Sequence, residues 1–165
     1  MADFVTYPHA TLSRLVERRP LDAAMIEAGE RLLAAAEAAS AYGLAAAHIG
    51  LNEPVVVISI SVDRAKRDYR ILYNPEITQL SAETEMGMEG SVSLPGIEVP
   101  VSRALWAEVT YVDAAGTRHQ ERFEGFVARV AQHEIDQVNG MFFLRRVSSV
   151  KRDIALRKFQ KIVRP

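Results

Sequence analysis

Residues 132–140 read QHEIDQVNG. This stretch closes a segment, residues 125–139, whose apolar residues recur at helical spacing, and Gly140 is a typical residue to follow the end of a helix. On such a helix residue 137 follows His133 by one turn and lies on the same face. The stretch therefore predicts a helix that carries His133 and Gln137 on one face, with Glu134 beside His133.

The pair His133–Glu134 begins the H-E-x-x-H pattern, in which two imidazoles bind one metal ion and the glutamate takes a proton from metal-bound water. The second imidazole is missing here, because residue 137 is glutamine. A neutral imidazole binds zinc or iron well, whereas an amide oxygen is a weak ligand for these metals. A single histidine on a helix is more often structural, so this pair alone does not establish a metal site.

The rest of the chain predicts an α+β fold in one domain, residues 1–165. Strands grouped between helices, without β-α-β alternation, are typical of that class. Residues 1–20 read as an extended arm, Trp106 as a core residue, and His9 and His119 as surface residues. The expected elements are a helix over 22–42 between an Asp22 cap and a Gly43 stop, a strand over 54–62, a second over 71–80 broken at Asn74-Pro75, a hairpin of WAEVTYV and RHQERF, and a last helix over 149–163.

The composition excludes several classes of function. The formal net charge of −1 argues against DNA binding, and the absence of cysteine excludes disulfides, cysteine-ligated zinc and a thiol nucleophile. No apolar run approaches the roughly 20 residues of a membrane span. The amino-terminal stretch lacks the layout of a signal peptide. We therefore expect a cytoplasmic protein that does not associate with membranes.

Two further stretches, taken with QHEIDQVNG, resemble the three motifs of peptide deformylases. Residues 43–50 read GLAAAHIG and residues 89–96 read EGSVSLPG. The family motifs are G-x-G-x-A-A-x-Q, E-G-C-x-S and H-E-x-D-H, in the same order and at similar spacing. VTYPHATL, YNPEI and GMFFLRRVSSVKR also resemble the family, so the similarity covers nearly the whole chain. It implies a peptide deformylase-like fold, with antiparallel strands around a central helix bearing the HE pair and a C-terminal helix.

The resemblance also implies a chemistry, the hydrolytic removal of formyl groups from the N-terminal methionine of nascent proteins. In the family, a ferrous, zinc or similar ion is held by the motif cysteine and both motif histidines. Carried onto this sequence, Glu134 is the general acid/base and His133 a metal ligand, while His48, in place of glutamine, and the backbone N–H of Val92 stabilise the oxyanion. The substrate pocket implied by the resemblance comprises Gly43, Leu44, Ile49, Gly90 and Leu94.

Two of the three metal-ligand positions have changed, because the cysteine position is Ser91 and the second histidine position is Gln137. Both are weak ligands, so we expect no tightly bound metal, at most weakly held Fe²⁺ or Zn²⁺, and absent or much reduced deformylase activity. Without an ion, Ser91, His133 and Gln137 are expected to hydrogen-bond to one another, directly or through water.

Three alternatives remain open at this point. His48, His133 and Glu134 could form a substitute metal site in an active hydrolase, or Ser91 and His133 could act as a nucleophile and its base. An inactive protein could still bind N-terminal peptides that begin with methionine or formyl-methionine. The helix over residues 149–163 carries several lysines and arginines, which is compatible with binding to the ribosome.

Overall fold

The computed structural model describes residues 3–164, and the central helix predicted from the sequence is the element around which they are arranged. The three α-helices are α1 (Ala23–Ala39), α2 (Gly125–Val138) and α3 (Ser149–Val163), and short 3₁₀ helices occur at Ala10–Ser13, Ala46–Ile49 and Phe143–Arg146. The strands are β1 (Gly43–Ala45), β2 (Val55–Ser59), β3 (Tyr69–Leu80), β4 (Thr84–Glu89), β5 (Val99–Ala104), β6 (Trp106–Val112) and β7 (Arg118–Glu124).

The strands form two antiparallel sheets. One has five strands in the order β1-β2-β3-β6-β7, and the other is a ribbon of β4 and β5. Strand β2 is buried on both faces: Val56 and Ile58 pack with α2, while Val55 and Val57 pack with α1. This alternation follows from the period of two in a strand. The sheet therefore separates the two helices, and the expected α+β class is confirmed.

The helices begin where the sequence indicates, but α1 ends early. Asp22 caps α1, its side chain accepting a hydrogen bond from the Met25 N–H. The helix stops at Ala39, with Ser40 in the left-handed conformation (φ 50°), and Gly43 starts β1 instead of ending the helix. At the end of α2, Gly140 (φ +76°) is required because a Cβ there would lie 2.7 Å from the Leu15 nitrogen.

Three other expectations need correction. Asn74-Pro75 does not break β3; Asn74 (φ 51°) marks a shift in register within one continuous strand. Trp106 is half-buried rather than a core residue, because it starts β6 at the rim of the sheet, where the Arg122 guanidinium covers its ring. The β4–β5 ribbon was not predicted, since the exposed residues of β4 include Met86 and Met88 beside Thr84 and Glu85 and give no alternation of apolar and polar positions. Among the described residues, no helix has the length and apolar character needed to cross a bilayer.

Candidate active site

Three segments bring most of the sequence-predicted residues to the wall of one cavity of about 310 Å³. Helix α2 contributes its HE pair. Strand β1 and the 3₁₀ helix that follows it contribute the first motif, and the loop after β4 contributes the second. The sequence-predicted residues that line the cavity are Gly43, Leu44, His48, Gly90, Ser91, Val92, His133 and Glu134.

The other predicted pocket residues lie elsewhere. Leu94 is completely buried and packs with Phe142 and Phe143 in the cluster below the C-terminal helix. Ile49 packs against the cluster formed by α1 and β2. Neither residue lines the cavity.

Gln137 also faces away from the cavity. Its Nε2 donates a hydrogen bond to the Leu12 carbonyl oxygen at 2.7 Å, and its side chain is buried. Ser91 Oγ accepts a hydrogen bond from the Ser93 N–H at 3.1 Å. No hydrogen bond joins Ser91, His133 and Gln137 to one another, although all three lie in the described part of the chain. The direct contacts expected among them are therefore wrong, because the backbone supplies nearer partners for both substituted side chains.

The backbone turn that contains His48 fixes the tautomer of its imidazole ring. The Ala45 N–H donates to His48 Nδ1 at 2.9 Å, so that nitrogen carries a lone pair and the proton of the neutral ring lies on Nε2. Burial, with the neighbouring His133, lowers the pKa of His48 to about 3, which keeps the ring neutral. The approach of Nδ1 to Glu134 Oε1, at 3.7 Å, is consequently not an ion pair. Within residues 3–164, His48 Nε2 is a buried donor without an acceptor.

Glu134 lies against the first motif and also has an unused oxygen. Its Oε1 is buried and accepts no hydrogen bond from the described residues. Burial, reinforced by the negative charge of Glu89, raises the pKa of Glu134 to about 7. The side chain fits only because residue 43 is glycine, since a Cβ there would lie 3.0 Å from both Cγ and Oε2 of Glu134.

His133 is held by the carboxylate of Glu89, which lines the cavity beside it. Its Nδ1 lies 2.8 Å from Glu89 Oε1, so Nδ1–H donates and Nε2 remains for a cavity ligand. Burial alone would lower the pKa of His133, but the charge of Glu134 and the hydrogen bond to Glu89 raise it above the usual value. The ring also packs against Phe143, with centroids 5.4 Å apart.

A buried charge network behind the cavity was not foreseen. Arg103 is 4% exposed and donates to both oxygens of Glu89, at 2.9 and 2.8 Å, and to Asp136 at 2.5 Å. Asp136 also pairs with Arg146, and Glu89 with Arg129. These charges hold the pKa of Glu89 far below its usual range against the opposing effect of burial. The sequence of β5 does indicate this network, because a period of two places Arg103 on the same buried face as Val99 and Val101.

The backbone N–H of Val92 is a further candidate donor. It makes no hydrogen bond within the described residues, and Val92 lines the wall together with His48. The rim contains residues that the motifs did not indicate, among them Tyr42, Arg64 and Phe126. They come from the end of the α1–β1 connection, the β2–β3 loop and the start of α2, and no motif marks these segments.

Comparison with known proteins identifies the family. A family model described as polypeptide deformylase matches residues 1–153. The chain belongs to the polypeptide deformylase family. The resemblance found in the sequence is thus confirmed. Members of this family are metalloenzymes, and here His48, His133 and Glu134 offer potential ligand atoms within 4.8 Å of one another.

Two relatives have different names. A peptide deformylase-like protein of Rhizobium meliloti is 35% identical over 161 residues, which cover 97% of this chain and 92% of the relative. A peptide deformylase of Agrobacterium fabrum is 32% identical over 152 residues, covering 92% and 88%. The "like" in the first name is consistent with a divergent member of the family.

Solved deformylase structures superpose closely on this fold. The enzyme from Ehrlichia chaffeensis gives a TM-score of 0.88 at 29% identity, covering 98% of this chain and 96% of the other. A second Ehrlichia chaffeensis structure, also at a TM-score of 0.88 and 29% identity, contains actinonin and covers 98% of this chain and 97% of that one. The backbone of these deformylases is therefore retained in this chain.

Proposed function

We propose that this protein binds the N-acylated end of a peptide, with N-formyl-methionine as the reference ligand, and hydrolyses it little or not at all. One observation carries the proposal: His48 and Glu134 line the same cavity, and the buried His48 Nε2–H donor and the buried Glu134 Oε1 acceptor have no partner in residues 3–164. Buried polar groups are nearly always hydrogen-bonded, so both require solvent or a ligand.

An N-acyl amide matches this pair of groups. Its carbonyl oxygen can accept from His48 Nε2–H and from the Val92 N–H, and its own N–H can donate to Glu134. A free N-terminal ammonium can satisfy Glu134 but offers no acceptor to His48. The cavity therefore favours an acylated N-terminus over a free one, because only the amide leaves no buried group unpaired.

The same geometry disfavours a tight metal site. For His48 to bind an ion through Nε2, the ring proton would have to move to Nδ1, which faces the Ala45 N–H. Gln137 is committed to Leu12, and Ser91 offers a neutral hydroxyl. The residues that fit a metal ligand without rearrangement are His133, through Nε2, and Glu134. Two ligands make a weak site, and a ligand role for Glu134 would remove the general base.

Calorimetric titration, with formate release measured beside it, tests this function. In the presence of EDTA, formyl-Met-Ala-Ser amide should bind more tightly than Met-Ala-Ser amide by about tenfold, the effect of one or two buried hydrogen bonds. His48→Leu should remove most of that preference. His119→Ala, in the hairpin and outside the cavity, is the matched control and should leave it unchanged.

Metal analysis distinguishes the rival function, an active hydrolase with rearranged ligands. Protein purified anaerobically and supplied with Fe²⁺, Zn²⁺ or Ni²⁺ should hold far less than one ion per chain, and should release no formate. Near-stoichiometric metal, together with formate release that disappears in Glu134→Gln, would overturn the proposal. The double variant Ser91→Cys/Gln137→His restores the family ligands and should bind metal more tightly than the natural chain.

A second proposal concerns docking on the ribosome and rests on α3. Its N-cap is Ser148. Its exposed side chains include both basic and apolar residues, Val150 being 66% and Ile154 59% exposed. Such a surface suits phosphate-rich RNA with protein beside it. Co-sedimentation with ribosomes should weaken as salt rises, and should be lost when Lys151, Arg157, Lys158 and Lys161 are changed to Glu. Equal loss in a control with Arg31 and Lys66 changed to Glu would contradict a specific role for α3.

A further inference from the structure

An arginine without a carboxylate partner lies at the rim of the cavity. Arg64, in the β2–β3 loop, places its guanidinium 3.8 Å from the centroid of the Phe126 ring and 5.5 Å from that of Tyr42. The two rings meet edge to face, with centroids 4.8 Å apart. All three residues line the cavity. Stacking holds the guanidinium plane in place while leaving its N–H groups at the edges free to bind a ligand.

Neighbouring arginines use their donors within the protein. Arg129, which also lines the cavity, donates to Glu89 and to the carbonyl oxygens of Glu85 and Val101. Arg67, stacked on Tyr42, donates to carbonyl oxygens of its own loop and of Ser40. In residues 3–164, by contrast, the Arg64 side chain makes no hydrogen bond and no salt bridge. It is therefore available to a ligand.

The hydrogen-bond donors of the cavity give a ligand one preferred direction. At the inner end, Arg103 and Arg129 already donate to Glu89, and Glu134 Oε1 is an acceptor, so that end has no free guanidinium for a carboxylate. Arg64 attracts one to the rim. Glu98 also lines the rim, but it shares a second hollow with Lys158, a residue of opposite charge. A volume of about 310 Å³ is small for a binding site, which suits one or two residues of ligand.

We propose that the ligand is a short free acid, an N-acyl amino acid or N-acyl dipeptide, whose terminal carboxylate pairs with Arg64. The inference rests on the proposed binding of an N-acyl amide and names the other end of the same ligand. A nascent chain has no terminal carboxylate near its N-terminus. Recognition by Arg64 therefore selects released short peptides over growing ones.

A series of ligands of increasing length tests directly whether the terminal carboxylate contributes to binding. Formyl-Met, formyl-Met-Ala and formyl-Met-Ala-Ser are each prepared as the free acid and as the carboxamide, and their dissociation constants are measured by calorimetry. At one ligand length in this series, the acid should bind about five- to tenfold more tightly than its amide, as expected for a charge-assisted pair at a partly exposed site. Added salt should reduce this ratio.

Variants of the loop assign the preference to one side chain. Arg64→Ala should bring the ratio of acid to amide affinity to about one at every length, and Arg64→Lys should restore part of it, because the charge remains and the planar stacking is lost. Lys66→Ala removes a positive charge from the same loop, outside the cavity, and should keep the natural ratio.

The outcomes separate the two proposals. If the amides bind and the ratio is one in the natural protein, or if Arg64→Ala leaves it unchanged, the role of Arg64 is wrong while the binding of N-acyl groups stands. If neither acids nor amides bind, the proposed function itself fails, and the inference fails with it.

Discussion

Gln137 Nε2 donates to the Leu12 carbonyl oxygen at 2.7 Å, which joins α2 to the 3₁₀ helix near the amino terminus. By resemblance, Gln137 stands where the family motif has its second histidine. Its hydrogen bond therefore links two distant parts of the chain. Beside it, the Val16 N–H donates to the Val138 carbonyl oxygen, and Thr11 Oγ1 donates to the Ala47 carbonyl oxygen. The substitution has exchanged a metal ligand for a structural hydrogen bond.

Removal of this hydrogen bond should destabilise the protein. Gln137→Ala leaves the buried Leu12 carbonyl oxygen without a donor, and we expect the free energy of unfolding to fall by about 1–3 kcal/mol in urea denaturation. Gln160→Ala, at an exposed position of α3, is the control and should change it by less than about 0.5 kcal/mol. Equal stability of the two variants would show that the hydrogen bond contributes nothing.

Much of this fold could be predicted because its signals are local. The Asp22 cap, the apolar stripe of α2 and the turn of the β6–β7 hairpin each lie within a few residues of what they determine. The β4–β5 ribbon was missed because Met86 and Met88 point to solvent, at 55% and 57% exposure, and leave no alternation of apolar and polar residues.

The details of the site depend on contacts that no short stretch contains. The motifs placed His48, His133 and Glu134 together, but the direction of Gln137 depends on a carbonyl group 125 residues away in the chain. The tautomer of His48 depends on whether its ring folds back on the Ala45 N–H, which is a property of the 3₁₀ turn. A sequence motif identifies residue types, whereas function here depends on which atom of each residue is already hydrogen-bonded.

The close approach of β1 to α2 should make residue 43 sensitive to size. In Gly43→Ala the new Cβ would lie 2.6 Å from Val130 Cγ1 and 3.0 Å from Glu134 Oε2, so strand and helix must move apart. We expect a loss of about 1–3 kcal/mol in the free energy of unfolding, together with weaker binding of formyl-Met-Ala-Ser amide. Val130→Ala in the same chain should recover part of the stability. A Gly43→Ala protein with natural stability and affinity would contradict the tight contact.

The stability of the protein should fall much more when the buried Arg103 is removed from the charge network than when the half-exposed Arg146 is removed. Arg103→Ala leaves Glu89 and Asp136 as buried charges without their main partner, and we expect a loss of about 3–5 kcal/mol in the free energy of unfolding. Arg146 pairs with the same Asp136, but its side chain is 44% exposed. Arg146→Ala should therefore cost less than about 1 kcal/mol. Similar losses in the two variants would mean that burial does not set the strength of these pairs.

The raised pKa of Glu134 should make stability depend on pH. Its folded pKa of about 7 lies above the ordinary value of 4.5, so between these values the folded state holds a proton that the unfolded state has released. The stabilising contribution of this carboxyl group is thus complete below about pH 4.5 and lost as pH rises through about 7, on the order of 3 kcal/mol in all.

Glu134→Gln removes the contribution of this carboxyl group, together with the part of the raised His133 pKa that the Glu134 charge causes, because glutamine has nearly the same volume and does not ionise. The free energy of unfolding of the variant minus that of the natural protein should increase from about pH 4.5 to about pH 7 and then level off. Urea denaturation at half-unit steps of pH measures the difference, and the terms that both proteins share, including most of that from His48, cancel. Glu27→Gln, at an exposed position of α1, should show no such increase. A difference that is flat or that falls across this interval would mean that Glu134 is already ionised in the folded protein.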